Sequence, residues 1–291
     1  MSSPPPSCRR LVGISTKMYF SFARTTTYIS TLLRLLSELP PEIRTPLQDI
    51  DIFVLPDHIA LTSVISQLGH GNNANAVPIL PGAQGAFYED AGAFTGEVSP
   101  AVLAEVGCRI LEIGHAERRR LFGETDATTA KKAASAVQNG MIPLVCVGER
   151  TKPPAVPAPS LADSSPMARE GGQERENLDA QAALPEIHVQ VEAVLNAVPD
   201  SAHVVLAYEP VWAIGAAAPA SASYVLAIAR AIRDFECVRR RPVGSTRILY
   251  GGSAGPGLFK KLKEGVDGLF LGRFGHDPEQ FVRTALEVAT A

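Results

Sequence analysis

The feature that most constrains this chain is a regular alternation of short apolar runs with amphipathic, helix-like stretches. Most of the runs are continuously apolar, which is typical of strands buried on both faces in a parallel sheet covered by helices. The eight runs lie at residues 11–17, 49–56, 77–84, 109–115, 141–149, 203–209, 246–252 and 267–273. Clear helical patterns lie between them at residues 25–39, 187–198 and 223–235. This rhythm predicts repeated βαβ units with right-handed crossovers.

Two α/β architectures hold eight such strands, an open doubly wound sheet and a closed (β/α)8 barrel. The 291 residues fit a barrel of about 250 residues with one insertion. Because the rhythm continues along nearly the whole chain, residues 11–291 are predicted to form a single domain. Residues 151–174 are rich in Pro, Ala and Ser and predict a surface loop insertion. Residues 1–10 predict a short disordered N-terminal tail.

Composition excludes several classes of protein. A hydrophobic content of 46% is enough for a full core and excludes wholesale disorder. A net charge of -3 supplies no basic field for nucleic acid or an anionic membrane. The four cysteines form no CxxC pair, which argues against a zinc site and suits a reducing compartment. We therefore expect a soluble cytoplasmic protein with no membrane span, metal, cofactor or nucleic-acid partner.

Polar side chains follow several predicted strands at the point where each strand ends. Lys17, His115 and Glu209 close the first, fourth and sixth runs. In a barrel these ends meet on one face, whereas in an open sheet they line one edge. Each residue alone is explained as a strand terminus, but an ammonium, an imidazole and a carboxylate together predict a site. His115 also precedes a helix start, where backbone N–H groups disfavour the protonated ring, so we expect a neutral imidazole that donates to a carbonyl oxygen.

The segment after Glu209 combines proline with large apolar residues outside any strand. Pro210 stops the strand and fixes the chain direction, so that the carboxylate is firmly placed. Trp212 and Ile214 are large apolar groups in a loop, which favours a covering role. Residues 210–220 are interpreted as a lid that excludes water from Glu209. The alternative is a βα loop packed permanently on the barrel rim.

Glycines end the last two predicted strands, at Gly251, Gly252 and Gly272. Glycine lets backbone N–H groups approach an anion closely. The loops after the last two strands form the usual phosphate site of a (β/α)8 barrel. No P-loop or GxGxxG pattern is present, so a nucleotide is not implied. Ordinary turn glycines remain the alternative interpretation.

Six segments, taken in order, resemble those of the triosephosphate isomerase family. They are STKM (15–18), GAFTGE (92–97), GHAERR (114–119), CVGE (146–149), AYEPVWAIG (207–215) and YGGS (250–253). The resemblance spans roughly residues 11–290, and AYEPVWAIG is highly specific. It implies a (β/α)8 TIM barrel, usually homodimeric, that interconverts an aldose and a ketose phosphate in glycolysis and gluconeogenesis.

The resemblance also implies roles for individual residues. Glu209 is expected to be the base that moves a proton between two carbons, and His115 to polarise the carbonyl. Lys17 is expected to supply positive charge, with Glu117 orienting it. Thr95 is expected to reach the site of a partner subunit.

The same resemblance assigns the lid and the phosphate site. The lid is expected to include Pro210, Val211, Trp212, Ala216, Ala217 and Ala218. The phosphate is expected to bind the Gly215 amide together with Ser253, Gly252 and Gly272.

Several positions depart from the family pattern. Ser15 and Thr16 replace an asparagine and a tryptophan before the lysine, and Ala116 replaces a serine after the histidine. Ala216–Ala218 replace a Thr-Gly-Lys hinge. Ser15 is still expected to bind a substrate oxygen, with shorter reach.

Arg273 replaces the second glycine after the eighth strand. An arginine there either adds a bidentate phosphate contact or reshapes the pocket for a longer sugar phosphate. The alternative is a side chain that points to solvent.

Three functions fit this pattern. The first is interconversion of dihydroxyacetone phosphate and glyceraldehyde 3-phosphate. The second is isomerisation of a four-carbon tetrulose phosphate, which the altered binding walls at Ser15 and Arg273 favour. The third is a non-catalytic barrel that binds a sugar phosphate, which the presence of Lys17, His115 and Glu209 argues against.

Overall fold

The computed structural model describes residues 9–70, 77–152, 166–214, 220–252 and 254–291. All eight predicted strands are present in it. They are β1 (Leu11–Ser15), β2 (Asp51–Leu55), β3 (Ile79–Ala83), β4 (Ile110–Ile113), β5 (Ile142–Val147), β6 (Val204–Tyr208), β7 (Thr246–Gly252) and β8 (Gly268–Leu271). Each strand pairs in parallel with its neighbour in sequence, and β1 pairs with β8, so the sheet closes into a barrel. The prediction of a (β/α)8 TIM barrel is confirmed, and the open sheet is excluded.

Helices surround the barrel. They are α1 (Phe22–Glu38), α2 (Pro41–Arg44), α3 (His58–His70), α4 (Pro100–Glu105), α5 (Ala116–Phe122), α6 (Asp126–Gln138), α7 (Pro166–Leu195), α8 (Ala222–Asp234), α9 (Glu236–Arg239), α10 (Phe259–Leu262) and α11 (Pro278–Thr290). Short 3-10 helices add Thr45–Asp49, Val211–Ala213 and Arg273–His276. None of the helices in the described ranges is both long enough and apolar enough to cross a membrane.

The apolar residues form two layers. Alternate strand residues fill the barrel interior, where Leu11, Phe53, Ile110 and Phe270 pack together. The larger layer lies between the strands and the helices. Gly13 shows how tightly the interior is filled, because an added Cβ would lie 2.3 Å from the Phe53 ring. The barrel interior is therefore a packed core, and a ligand is expected at its rim rather than inside it.

One boundary differs from the sequence prediction. Helix α7 begins at Pro166, so the second part of the predicted 151–174 loop is helical, while residues 153–165 lie outside the described residues. The helix continues through Pro185. In the sequence this proline comes just before the helix predicted at 187–198, which made the earlier residues look like a separate segment. Buried Ala180, Ala183 and Ile187 extend one packed face across the proline. Tertiary packing therefore outweighs the cost of a proline inside the helix.

Candidate active site

The carboxyl ends of β1, β4 and β6 bring Lys17, His115 and Glu209 to a single cavity of about 360 Å³. Ser15, Glu117, Gly252, Gly272 and Arg273 line the same cavity. A neighbouring cavity of about 450 Å³ shares Glu117, Glu209 and Ile214 with it. The structure therefore brings together the predicted catalytic residues and four of the predicted binding residues, although their individual roles stay predictions.

Glu209 is a buried carboxyl that follows the last residue of β6. Its position depends on two glycines, because a Cβ on Gly251 would lie 2.5 Å from Glu209 Oε1 and one on Gly148 would lie 1.9 Å from the Glu209 carbonyl oxygen. Glu209 Oε2 has no hydrogen-bond partner among the described residues. Burial raises the pKa of Glu209 to about 8, although the charge of Lys17 opposes the shift. The group is thus a stronger base than an exposed carboxylate.

His115 is a neutral imidazole that faces Glu209. Its Nδ1 caps α5 by accepting a hydrogen bond of 3.1 Å from the Glu117 backbone N–H. The single ring proton is therefore on Nε2, which lies 3.5 Å from Glu209 Oε2. Burial, followed by the charge of Lys17, lowers the pKa of His115 to about 4. The predicted neutral histidine is supported, with burial rather than the helix end as the main cause.

Lys17 is held in one orientation by its backbone and by its partner. Lys17 Nζ lies 2.8 Å from Glu117 Oε1. Burial alone would lower the pKa of Lys17, but the hydrogen bond and charge of Glu117 outweigh it and raise the pKa. The residue has a φ of 46°, and the Gln84 side chain donates to its carbonyl oxygen at 3.3 Å. Glu117 therefore keeps the ammonium charged, while the Gln84 contact helps to fix the backbone at the cavity.

The part of the predicted lid that the structure describes is anchored through Glu149. Val211–Ala213 form a 3-10 turn directly after Pro210. Trp212 Nε1 donates to Glu149 Oε1 at 2.7 Å, and Tyr224 Oη donates to the same oxygen at 2.9 Å. The turn is therefore tied to the end of β5 rather than packed by apolar contact alone.

Some predicted residues cannot be placed. Gly215, Ala216, Ala217, Ala218 and Ser253 lie outside the described residues, so their assigned roles stay predictions. Thr95 lies in an exposed loop and lines neither cavity. Its contact with a partner subunit also stays a prediction.

Sequence reasoning missed three residues near the cavity. Tyr19 and His276 line it, with their ring centroids 5.5 Å apart. Glu112 is a buried carboxyl in β4 that is 4% exposed. The signal for Glu112 was present, because this charged residue interrupts the apolar residues at 110–113.

Comparison with known proteins agrees with this geometry. The family model described as triosephosphate isomerase matches residues 10–155 and 171–287. An L-erythrulose-1-phosphate isomerase from Pectobacterium atrosepticum is 38% identical over 279 residues, covering 94% of each chain. The triosephosphate isomerase of Aquifex aeolicus is 32% identical, covering 94% of this chain and 98% of its own. That of Chloroflexus aurantiacus is 36% identical, covering 94% and 96%. The chain belongs to the triosephosphate isomerase family and is an isomerase acting on a triose or tetrulose phosphate.

Proposed function

We propose that this isomerase moves a proton between the carbonyl carbon and the adjacent hydroxyl-bearing carbon of a short ketose phosphate, and that a tetrulose phosphate is its preferred substrate. Glu209 removes the proton and returns it to the neighbouring carbon. His115 donates a hydrogen bond from Nε2 to the carbonyl oxygen, and it transfers the proton that leaves the substrate's hydroxyl oxygen to the former carbonyl oxygen. Lys17 stabilises the negative charge of the enediolate that forms between the two steps.

The electrostatics of the cavity support this mechanism. A proton beside a carbonyl is very weakly acidic, so the developing oxyanion needs fixed donors in a site with little water. Neutral His115 gives its N–H without carrying a charge of its own, and Lys17 supplies the cation. A base with a raised pKa is better matched to proton removal near neutral pH.

The phosphate group is proposed to bind at the ends of β7 and β8. Gly252 and Gly272 line that side of the cavity together with Arg273. Gly252 has a φ of 105°, a conformation that favours glycine and that turns the backbone sharply at the rim. The reacting carbons then lie in the same cavity among Glu209, His115 and Lys17, away from β8 and toward β4 and β5.

The observation that carries the four-carbon preference is the second cavity on that side. In a tetrulose 1-phosphate the extra hydroxymethyl group is attached to the carbon that loses the proton, at the end away from the phosphate. The cavity of about 450 Å³ begins at Glu209 and is lined by Ala116 and Gly148, which have little or no side chain. It offers room for an added CH₂OH next to the base.

An assay of both substrates tests the proposal. We expect kcat/KM for L-erythrulose 1-phosphate to exceed that for dihydroxyacetone phosphate by about tenfold or more, as one buried hydroxymethyl group permits. A preference for the triose would instead favour the second candidate, triosephosphate isomerase, which the Aquifex aeolicus and Chloroflexus aurantiacus relatives support.

A variant of the second cavity sharpens this assay. Ala116→Val fills the wall beside Glu209 and is expected to lower the tetrulose-to-triose ratio of kcat/KM about tenfold. The matched control is Ala127→Val, the same change in the first turn of α6 at an exposed position. Equal losses on both substrates would mean that the extra carbon lies elsewhere.

We also propose a cytoplasmic homodimer. Met18 is 95% exposed and Tyr19 is 61% exposed, and the loop that contains Thr95 is exposed as well. Cys108, Cys146 and Cys237 are free and buried, which suits a reducing compartment. Sedimentation analysis would detect the dimer, and a monomer at micromolar concentration would contradict it. A role in glycolysis depends on the triose activity and stays a prediction.

A further inference from the structure

Glu112 is a carboxyl group inside the barrel that the mechanism above does not use. Strand residues alternate between the two faces of a sheet, and Ile110, two residues earlier, packs in the barrel interior. Glu112 therefore points inward as well, and only 4% of its surface is exposed. Its Oε2 has no hydrogen-bond partner among the described residues. A buried carboxyl with an unused oxygen costs stability, which calls for a functional explanation.

The charges around Glu112 are unbalanced. Its electrostatic neighbours come from several elements and are Lys17, Glu117, Glu124, Glu209 and the Cys146 thiol. Lys17 is the cation among them, and it already pairs with Glu117 at 2.8 Å. Glu124 likewise has its own partner, Lys132, at 2.6 Å. If Glu112 and Glu209 were both ionised, neither would have a cation of its own.

The two unpaired carboxyls influence each other. Burial raises the pKa of Glu112 to about 7. The Ser15 hydroxyl and the charge of Lys17 act to lower this pKa, whereas the charges of Glu117 and Glu124 act to raise it. The charge of Glu112 in turn raises the pKa of Glu209. Two such groups titrate as a pair, so ionising one favours the proton on the other. A phosphate dianion in the same cavity adds further negative charge, so that the pair keeps a proton while the ligand is bound. When Glu209 is ionised to act as the base, that proton lies on Glu112.

Ser15 connects Glu112 to the substrate cavity. Ser15 lies four residues after Leu11 in β1, and Leu11 packs in the barrel interior, so Ser15 points inward as Glu112 does. It is 3% exposed and lines the cavity, and its hydroxyl lowers the pKa of Glu112. Ser15 Oγ completes no hydrogen bond among the described residues. A hydroxyl has one hydrogen to donate. If Glu112 is ionised, that hydrogen points to the carboxylate, whereas a protonated Glu112 donates to Ser15 and leaves the hydrogen free for a substrate oxygen.

We propose that Glu112 is a positioning residue that holds a proton while the substrate is bound, donates it in a hydrogen bond to Ser15, and so turns the Ser15 hydroxyl hydrogen toward a substrate oxygen. The proton comes from solvent as the phosphate group enters the cavity. No bond to carbon is made or broken by Glu112. This inference rests on the proposed function, because it requires a sugar phosphate in the cavity that Ser15 lines.

Proton uptake on ligand binding tests the proposal without catalysis. Inorganic phosphate is titrated at pH 8 by calorimetry in buffers of different ionisation enthalpy. The wild-type protein is expected to take up as much as about one proton more than Glu112→Gln, which cannot ionise. Equal uptake by the two proteins would overturn the proposal. If the wild type turned over neither sugar phosphate, the proposed function would fail while this measurement still decided the state of Glu112.

Kinetics test the link to Ser15. Glu112→Gln keeps a donor and is expected to retain kcat/KM within about threefold, whereas Glu112→Val is expected to lose about tenfold, as for one lost hydrogen bond. Ser15→Ala is expected to lower kcat/KM by a similar factor. Adding Glu112→Val to Ser15→Ala is expected to lower kcat/KM little further, because the two residues act through one hydrogen bond. Equal losses for Gln and Val, or fully additive losses, would contradict the proposal.

The control separates positioning from packing. Ile110→Val changes the same strand and the same interior face, and is expected to lower thermal stability with no change in proton uptake. If Glu112→Val fails to fold, Glu112→Gln and the uptake measurement still decide the outcome.

Discussion

Both ends of the barrel contain charged side chains in hydrogen-bonded pairs, but the carboxyl end also has two buried carboxyls that each keep an unpaired oxygen among the described residues. At the amino end of the strands, Asp51 Oδ1 accepts from Arg9 Nε at 2.8 Å and Asp51 Oδ2 accepts from Arg247 Nη1 at 2.6 Å. At the carboxyl end, Oε2 of both Glu209 and Glu112 has no hydrogen-bond partner among the described residues. The same chain therefore pairs both oxygens of one carboxylate with arginines and leaves an oxygen of each of two other carboxyls unpaired.

This difference separates stability from reactivity. A carboxylate whose two oxygens each accept from a guanidinium group is fixed in place by both contacts. A carboxyl without such partners in a buried site has its pKa raised and is ready to take a proton. The amino end therefore stabilises the barrel, and the carboxyl end gives up stability for chemistry.

The largest expected effect comes from removing the base. Glu209→Gln is expected to lower kcat about 10²–10⁴-fold. The pKa of Glu209 in the fold, about 8, lies above its ordinary value, so ionisation at higher pH destabilises the wild type. The variant is thus expected to be the more heat-stable protein at pH 9. Steady-state kinetics and thermal unfolding measure the two effects, with exposed Glu105→Gln as the control. Wild-type kcat in Glu209→Gln would remove the base from the mechanism.

The opposite result is expected at the other end. Asp51→Asn leaves Arg247, which is 3% exposed, without its carboxylate. The free energy of unfolding is expected to fall by about 2–3 kcal/mol, measured by denaturant titration. The kcat of the folded protein is expected to stay within about twofold. A collapse of kcat would show that the two ends are not independent.

The pH profile gives an intermediate effect. Because Glu209 must be ionised to act, kcat/KM is expected to rise about tenfold per pH unit below about 7. Above that pH it is expected to flatten, because substrate binding must then also supply a proton to Glu112, whose pKa is raised by burial to about 7. The pKa of His115 is lowered to about 4, so this ring stays neutral throughout that range. Rates measured from pH 5 to 9 test this. If kcat/KM instead followed a single titration centred near pH 6, the group that controls the rate would be an ordinary exposed histidine rather than Glu209.

The smallest effect is expected at the rim. Arg273 is exposed and lines the cavity. If it adds a contact to phosphate, Arg273→Gly is expected to raise KM about tenfold with kcat nearly unchanged. Unchanged kinetics on both substrates would mean that the side chain points to solvent.

The fold was predictable from the sequence because a strand that is buried on both faces consists of a continuous apolar run. Turn glycines and polar residues at the strand ends likewise indicated where Lys17, His115 and Glu209 meet. The start of α7 was not predictable, because its packed face extends across Pro185. Glu112 was also missed, because pattern reasoning treated its strand as uniformly apolar. Its significance depends on which residues lie opposite it across the barrel, and a single strand does not encode that.

Closure of the barrel has a consequence for biosynthesis. β1 lies beside β8, with Leu11 opposite Gly268. The first strand to leave the ribosome therefore has one edge without hydrogen-bond partners until the last strand has been synthesised. Contacts between such distant parts of a chain form slowly and leave apolar surface exposed in the meantime. Ser15 and Lys17 follow β1 and Arg273 follows β8, so the cavity is assembled only when translation is almost finished. Nascent chains that stop short of β8 are therefore expected to be inactive and to need protection from aggregation.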